Sequence, residues 1–223
     1  MRLRSILLPI TAVSRRDLVE RLGQLIVGLA LYGVALGFMV RGGIGVSPWD
    51  VLALGVAGTS ALGYGTVTVL VSIAVLLLWI PLRQRAGLGT LLNALLVGVA
   101  ADLALLVIPE PPSVWVGAPM FVFGMVLLAF ATGLYIAADF GPGPRDGLMT
   151  GLVRVTGWPV WIARTVLEGS VLLIGFLLGG PVGVGTVLFA FGVGPLIGIF
   201  LPWITRLRTA RSAKLAAEVA ATR

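Results

Sequence analysis

Arg41-Gly42-Gly43-Ile44-Gly45-Val46-Ser47-Pro48-Trp49-Asp50-Val51-Leu52 has a second version of itself in Asp139-Phe140-Gly141-Pro142-Gly143-Pro144-Arg145-Asp146-Gly147-Leu148. In both stretches a glycine-rich segment runs into a helix start. Ser47 suits the N-cap, Pro48 the first helical position, where a missing N–H costs nothing, and Asp50 completes a box-like cap. Gly143, Pro144 and Asp146 take the same places in the second stretch. The helices that follow, residues 48–57 and 144–155, cover only about half a bilayer at about 1.5 Å per residue.

The likeness extends well beyond these motifs. Residues 22–108 align on residues 118–204 without a gap, at a constant offset of 96. Gly45, Pro48, Asp50, Leu52 and Gly55 fall on Gly141, Pro144, Asp146, Leu148 and Gly151. Gly87, Gly89, Thr90, Leu92 and Ala94 fall on Gly183, Gly185, Thr186, Leu188 and Ala190. Two merely apolar stretches would not share polar and proline positions, so the chain reads as an internal repeat.

Composition states what kind of repeat this is. The 223 residues are 58% hydrophobic and 11% charged, against about 25% charged in a soluble domain. Mean hydropathy is +1.08. Six apolar runs, at 22–40, 66–82, 89–108, 116–137, 160–178 and 184–201, each have roughly the length a membrane helix needs. Trp79, Trp115, Trp158, Trp161 and Trp203 lie near their ends, as an aromatic belt would place them. The expected fold is an all-α membrane protein of six transmembrane helices. It forms two inverted three-helix repeats, each with a glycine- and proline-rich break and a short half-helix. Three spans per repeat bring the second copy in from the opposite face, a plan common among secondary transporters.

The net charge of +7 concerns orientation rather than nucleic acid. Arg2, Arg4, Arg15, Arg16 and Arg21 precede the first run. Arg83 and Arg85 follow the second, Arg145 and Arg154 follow the fourth, and Arg206, Arg208, Arg211, Lys214 and Arg223 follow the sixth. These alternate connections hold 14 of the 16 basic residues; Arg41 falls on the other side and Arg164 inside a run. The positive-inside rule then places both termini in the cytoplasm. The expected divisions are a basic cytoplasmic segment at 1–21, repeats at 22–108 and 118–204, an external connection at 109–117 and a basic cytoplasmic tail at 205–223. Ser14-Arg15-Arg16-Asp17-Leu18-Val19 faintly resembles a twin-arginine export signal, but five further spans follow the first and no small-residue cleavage site is evident. A retained first helix is expected.

The half-helices admit two arrangements. In one, each glycine stretch dips to mid-membrane and the half-helix returns to the surface it left, so that two helix N-termini with free N–H groups approach the midplane from opposite sides. In the other, the half-helices lie flat at the interfaces.

The run into Ser47-Pro48-Trp49-Asp50-Val51-Leu52, the Gly87-Leu88-Gly89-Thr90 helix start and Gly141-Pro142-Gly143-Pro144-Arg145-Asp146-Gly147 resemble the YczE-like bacterial membrane proteins, themselves related more loosely to the YitT group. The resemblance covers nearly the whole chain apart from the tails. It implies a bacterial inner-membrane protein and supplies no substrate.

Gly45, Ser47, Asp50, Gly141, Gly143, Arg145 and Asp146 are the candidate solute-binding residues. Arg164 and Glu168, four apart on one helix face, are either a coupling pair on the path or a structural pair neutralising itself. Asp102 is a proton-coupling carboxylate or bonds Asn93 or a backbone group near the outer interface. Asn93 and Gln24 read as glue between helices. With no cysteine and no histidine there is no thiolate or imidazole for metal ligation or nucleophilic catalysis. Neither enzyme activity, metal nor cofactor is expected. The expected function is a secondary transporter or permease for a small anionic or zwitterionic solute. The alternatives are a non-transporting partner of another membrane complex and the membrane subunit of an ATP-driven importer. The bilayer is the expected surrounding, a small solute the expected ligand, and a homo-oligomer or a partner protein stays open.

Overall fold

A computed structural model describes residues 15–221, with side chains through residue 211. Arg2, Arg4, Ser14 and Arg223, and the side chain of Lys214, lie outside the described residues. Eight helices follow one another: α1 (Arg15–Gly42), α2 (Pro48–Thr59), α3 (Tyr64–Trp79), α4 (Leu88–Val107), α5 (Val114–Ala137), α6 (Pro144–Thr156), α7 (Val160–Leu177) and α8 (Val184–Ala221). Among the described residues there is no strand. Helices α1, α4, α5, α7 and α8 are long and apolar enough to cross a membrane; α2 and α3, bent by 118° at the break between them, make a sixth crossing if counted together.

Three boundaries differ from the sequence expectation. Helix α1 begins at Arg15 rather than at residue 22. Helix α3 stops at Trp79, because Pro81 and Arg83, the latter at φ 50°, fold the chain into a turn. Helix α8 runs on through Ala221, well past residue 201. Its last part is rich in Ala and Arg, which favour helix and give it no reason to end. Pro195 and Pro202 lie inside α8, as membrane helices tolerate.

Helices α1 and α5 form the central pair, brought close by small residues. A Cβ on Gly28 would meet the Tyr135 backbone at 2.9 Å, and one on Gly124 the Ala35 carbonyl at 2.8 Å. Helix α4 flanks α1 and α8 flanks α5, while α2 packs on α7 and α6 on α3. Such contacts replace the hydrophobic drive that is missing between helices in lipid.

The seam between α3 and α4 is tight. The Gly65 and Gly98 backbones touch, a Cβ on Gly65 falling 2.1 Å from the Gly98 carbonyl, and Asp102 accepts a hydrogen bond from Gly65 N at 2.7 Å. The corresponding neighbours 96 residues later, α7 and α8, have no comparable contact among the described residues. Gly169 and Gly198 face open space there, and Gly194 meets only an Arg164 nitrogen, at 4.0 Å.

Candidate functional site

Both half-helices start where the sequence spells a cap. Ser47 is the N-cap of α2, in extended backbone, with its Oγ accepting from Asp50 N at 3.3 Å. The box closes differently from the usual pattern, because the Ser47 hydroxyl also donates to the Asp50 carboxylate. Gly143 is the N-cap of α6 and, having no side chain, leaves the first turn of that helix without a side-chain acceptor.

The glycine stretches before the caps are held by paired contacts. Gly185 N donates to Ile44 O at 2.7 Å, and Gly89 N donates to Phe140 O at 2.8 Å. Gly45 and Gly141 have φ of 112° and 113°, a backbone that suits glycine alone. A Cβ on Gly45 would fall 2.7 Å from Gly183 N, and one on Gly141 2.9 Å from Thr90 Oγ1. These two glycines therefore turn and dock the chain; they do not line the cluster that follows.

The N-termini of α2 and α6 meet. Arg145, the second residue of α6, lies 3.7 Å from the carboxylate of Asp50, the third residue of α2, and its guanidinium sits over the Trp49 ring at 5.1 Å. Asp50 is 1% exposed and also accepts from Tyr64 OH at 2.9 Å. Asp146 accepts from Tyr135 OH at 2.8 Å, and the ring of Tyr32 stands edge-on to Tyr135 at 6.2 Å. Trp79 Nε1 donates to Pro144 O at 3.0 Å, anchoring the start of α6 to the end of α3.

Two adjoining hollows of about 100 and 90 Å³ lie before α2, both walled by Arg145, Asp146, Arg164 and Glu168. Arg164 Nε donates to Glu168 at 2.8 Å, and the two side chains are 40% and 24% exposed. A smaller hollow of about 50 Å³ lies before α6, lined among others by Tyr32, Thr68, Ser72 and Asn93. Thr68 and Ser72 stand 96 residues before Arg164 and Glu168, so a hydroxyl pair beside one half-helix answers an ion pair beside the other.

Of the residues singled out from sequence, Ser47, Asp50, Gly143, Arg145, Asp146, Arg164 and Glu168 come together. Asp102 stands apart, bound to the Gly65 backbone, and Gln24 spans α1 and α5 by donating to Leu134 O at 2.8 Å. Sequence reading missed Tyr32, Tyr64 and Tyr135, the only three tyrosines in the chain, all of which face the cluster. A phenol in the middle of an apolar run was the available signal, since a buried hydroxyl needs a partner. Among the described residues no group of three or more Asp, Glu, His or Cys is placed to hold a metal ion.

Apolar helices of crossing length around a buried charged cluster define a multi-pass membrane protein. The chain belongs to the family described as "Family of unknown function (DUF6198)", which matches residues 19–202. An uncharacterized protein of Haemophilus influenzae is 39% identical over 183 residues, 82% of this chain and 84% of that one. The uncharacterized membrane protein YczE of Bacillus subtilis is 30% identical over 210 residues, covering 93% of this chain and 97% of its own. The uncharacterized protein YyaS of the same organism is 26% identical over 186 residues. No solved structure matches the chain.

Proposed function

We propose that this protein is a secondary transporter or permease of the bacterial plasma membrane, with both termini cytoplasmic, in which two inverted three-helix halves alternate access to the cluster at α2 and α6. The observation that carries the reading is the 3.7 Å approach of Arg145 in one half to Asp50 in the other, at the head-to-head N-termini of two half-helices. Irregular backbone inside a membrane is tolerated only against protein or a polar cavity, and here it meets both. The matched bonds of Gly89 to Phe140 and Gly185 to Ile44 favour an inverted relation between the halves. Trp49 belongs to an apolar cluster against which Leu167 and Val171, near the middle of α7, also pack, which favours the re-entrant arrangement over a flat one.

The charge balance narrows the solute class. Asp50, Asp146 and Glu168 face Arg145 and Arg164, and each guanidinium already has a carboxylate partner. Two helix N-termini, each equivalent to about half a positive charge, offset the surplus acid. A simple anion would find no spare cation. A small zwitterion fits better: its carboxylate meets the uncapped first turn of α6 and its ammonium meets Asp146 or Glu168. Because the Arg145–Asp50 pair crosses between the halves, opening either side would break it, and solute charges would replace what is lost. No covalent step is assigned to the cluster.

Single cysteines at Ser47 and Gly143 test this in a chain that has none of its own. Both should react with small water-soluble thiol reagents, from one side or the other according to the state trapped. If Ser47→Cys always reacts from outside and Gly143→Cys always from the cytoplasm, the central site is wrong. A non-transporting membrane partner then becomes the better reading.

A further inference from the structure

A roomy hollow lies away from the half-helices, at the basic end of the bundle between α1, α5 and α8. It holds about 420 Å³, within the range of ligand sites, which run from roughly 300 to 1,000 Å³. Its lining is graded along the helix axes. Phe130 of α5 and Trp203 of α8 form an apolar inner part, their rings 6.5 Å apart. Arg208 and Arg211, one to two turns further along α8, and Arg21 of α1 form a charged outer part.

The acids at this end are largely engaged. Glu20 pairs with Arg211 at 3.1 Å and with Arg16 at 3.8 Å, while Arg21 binds the Ala138 and Asp139 carbonyls and the Asp139 carboxylate. Asp17 and Asp139 attract Arg208 and Arg21 repels it. Among the described residues Arg208 nonetheless makes no hydrogen bond and no ion pair, although it is half-buried against the apolar wall. A guanidinium so placed is best satisfied by an anionic oxygen, and phosphate is the anion its geometry suits.

We propose that this cleft binds an anionic phospholipid of the inner leaflet. Its phosphate sits on Arg208, flanked by Arg211 and Arg21, and an acyl chain lies over Phe130 and Trp203. The apolar inner part selects a lipid over a water-soluble phosphate, and basic pockets between helices at the cytoplasmic face are where such head groups bind. The site is separate from the transport reading and rests only on the proposed orientation, with the basic end of the bundle at the cytoplasmic face.

Thermal unfolding of the full-length protein in neutral detergent, with added lipid, tests the site. Phosphatidylglycerol should raise the midpoint by several degrees, as a ligand specific for the folded state does, and phosphatidylcholine should not. Arg208→Gln should lose at least half of that rise, while Arg85→Gln, an exposed arginine outside the cleft, keeps it. Gly23 borders the cleft and a Cβ there meets nothing within 4 Å, so Gly23→Trp should fill the space and abolish the rise without disturbing packing. Equal rises from the two lipids, or full responses from both Arg208→Gln and Gly23→Trp, would overturn the proposal. Glycerol 3-phosphate matching the lipid would also overturn it, in favour of a soluble phosphate.

Discussion

Replacing Arg145 by methionine keeps an apolar stem over Trp49 but withdraws the only cation within 4 Å of Asp50 among the described residues. At 3.7 Å and an effective dielectric constant of about 20, the pair is worth about 4.5 kcal/mol of gross attraction. Asp50 would keep the hydroxyls of Ser47 and Tyr64, which hold part of its charge, so the expected loss of stability is about 3 kcal/mol, at the low end for breaking a buried pair. Asp50→Asn should cost less, about 1–2 kcal/mol, since the amide oxygen still accepts from Tyr64 and Arg145 is one-fifth exposed. With both charges gone the two losses should not add, and a coupling of at least about 1.5 kcal/mol should remain. The assay is unfolding of the purified protein in mixed micelles, followed by tryptophan fluorescence across the parent, both single variants and the double variant. Losses that add within about 0.5 kcal/mol would refute the idea that these residues hold the two half-helices together.

Tyr64→Phe and Tyr135→Phe each remove a phenol from a carboxylate and should cost about 1.5–3 kcal/mol in the same assay, the usual worth of a hydrogen bond to a charged group. Gly65→Ala places a methyl 2.1 Å from the Gly98 carbonyl and 2.5 Å from Asp102, so it should lower the melting temperature sharply; Gly169→Ala, facing open space within α7, should leave it unchanged or raise it. Reporter fusions after Gly87 and at the carboxyl terminus should read cytoplasmic, and fusions at Pro112 and Gly180 external. A cytoplasmic signal at Pro112 would make the halves parallel or change the number of spans.

The half-helices were legible because capping is local. Ser47-Pro48-Trp49-Asp50 and Gly143-Pro144-Arg145-Asp146 spell a helix start over four residues, and α2 and α6 begin at those prolines. The meeting of Arg145 with Asp50 was not legible, since no local pattern aligns side chains so far apart in the chain. Tyrosines 32, 64 and 135 passed as apolar because a phenol inside a hydrophobic run reads as a core aromatic until its acceptor is known. Asp102, acidic in a span, reads from sequence either as a coupling carboxylate or as bonding Asn93 or a backbone group, and sequence alone does not choose. Its partner is the backbone of Gly65, whose value as a donor depends on how closely α3 and α4 approach. Helix α8 outruns its apolar run because hydropathy falls after residue 201 while helix propensity does not.

The Gly65–Gly98 contact has a mechanical consequence. Backbone laid on backbone, with Asp102 strapped across, leaves α3 and α4 almost no room to slide or tilt, so they behave as a single stiff slab. Among the described residues nothing equivalent ties α7 to α8. The bundle is therefore braced on one flank and compliant on the other. If the half-helices rearrange as the transport proposal requires, this packing predicts that α7 and α2 move together while α3 and α4 stay fixed as a frame.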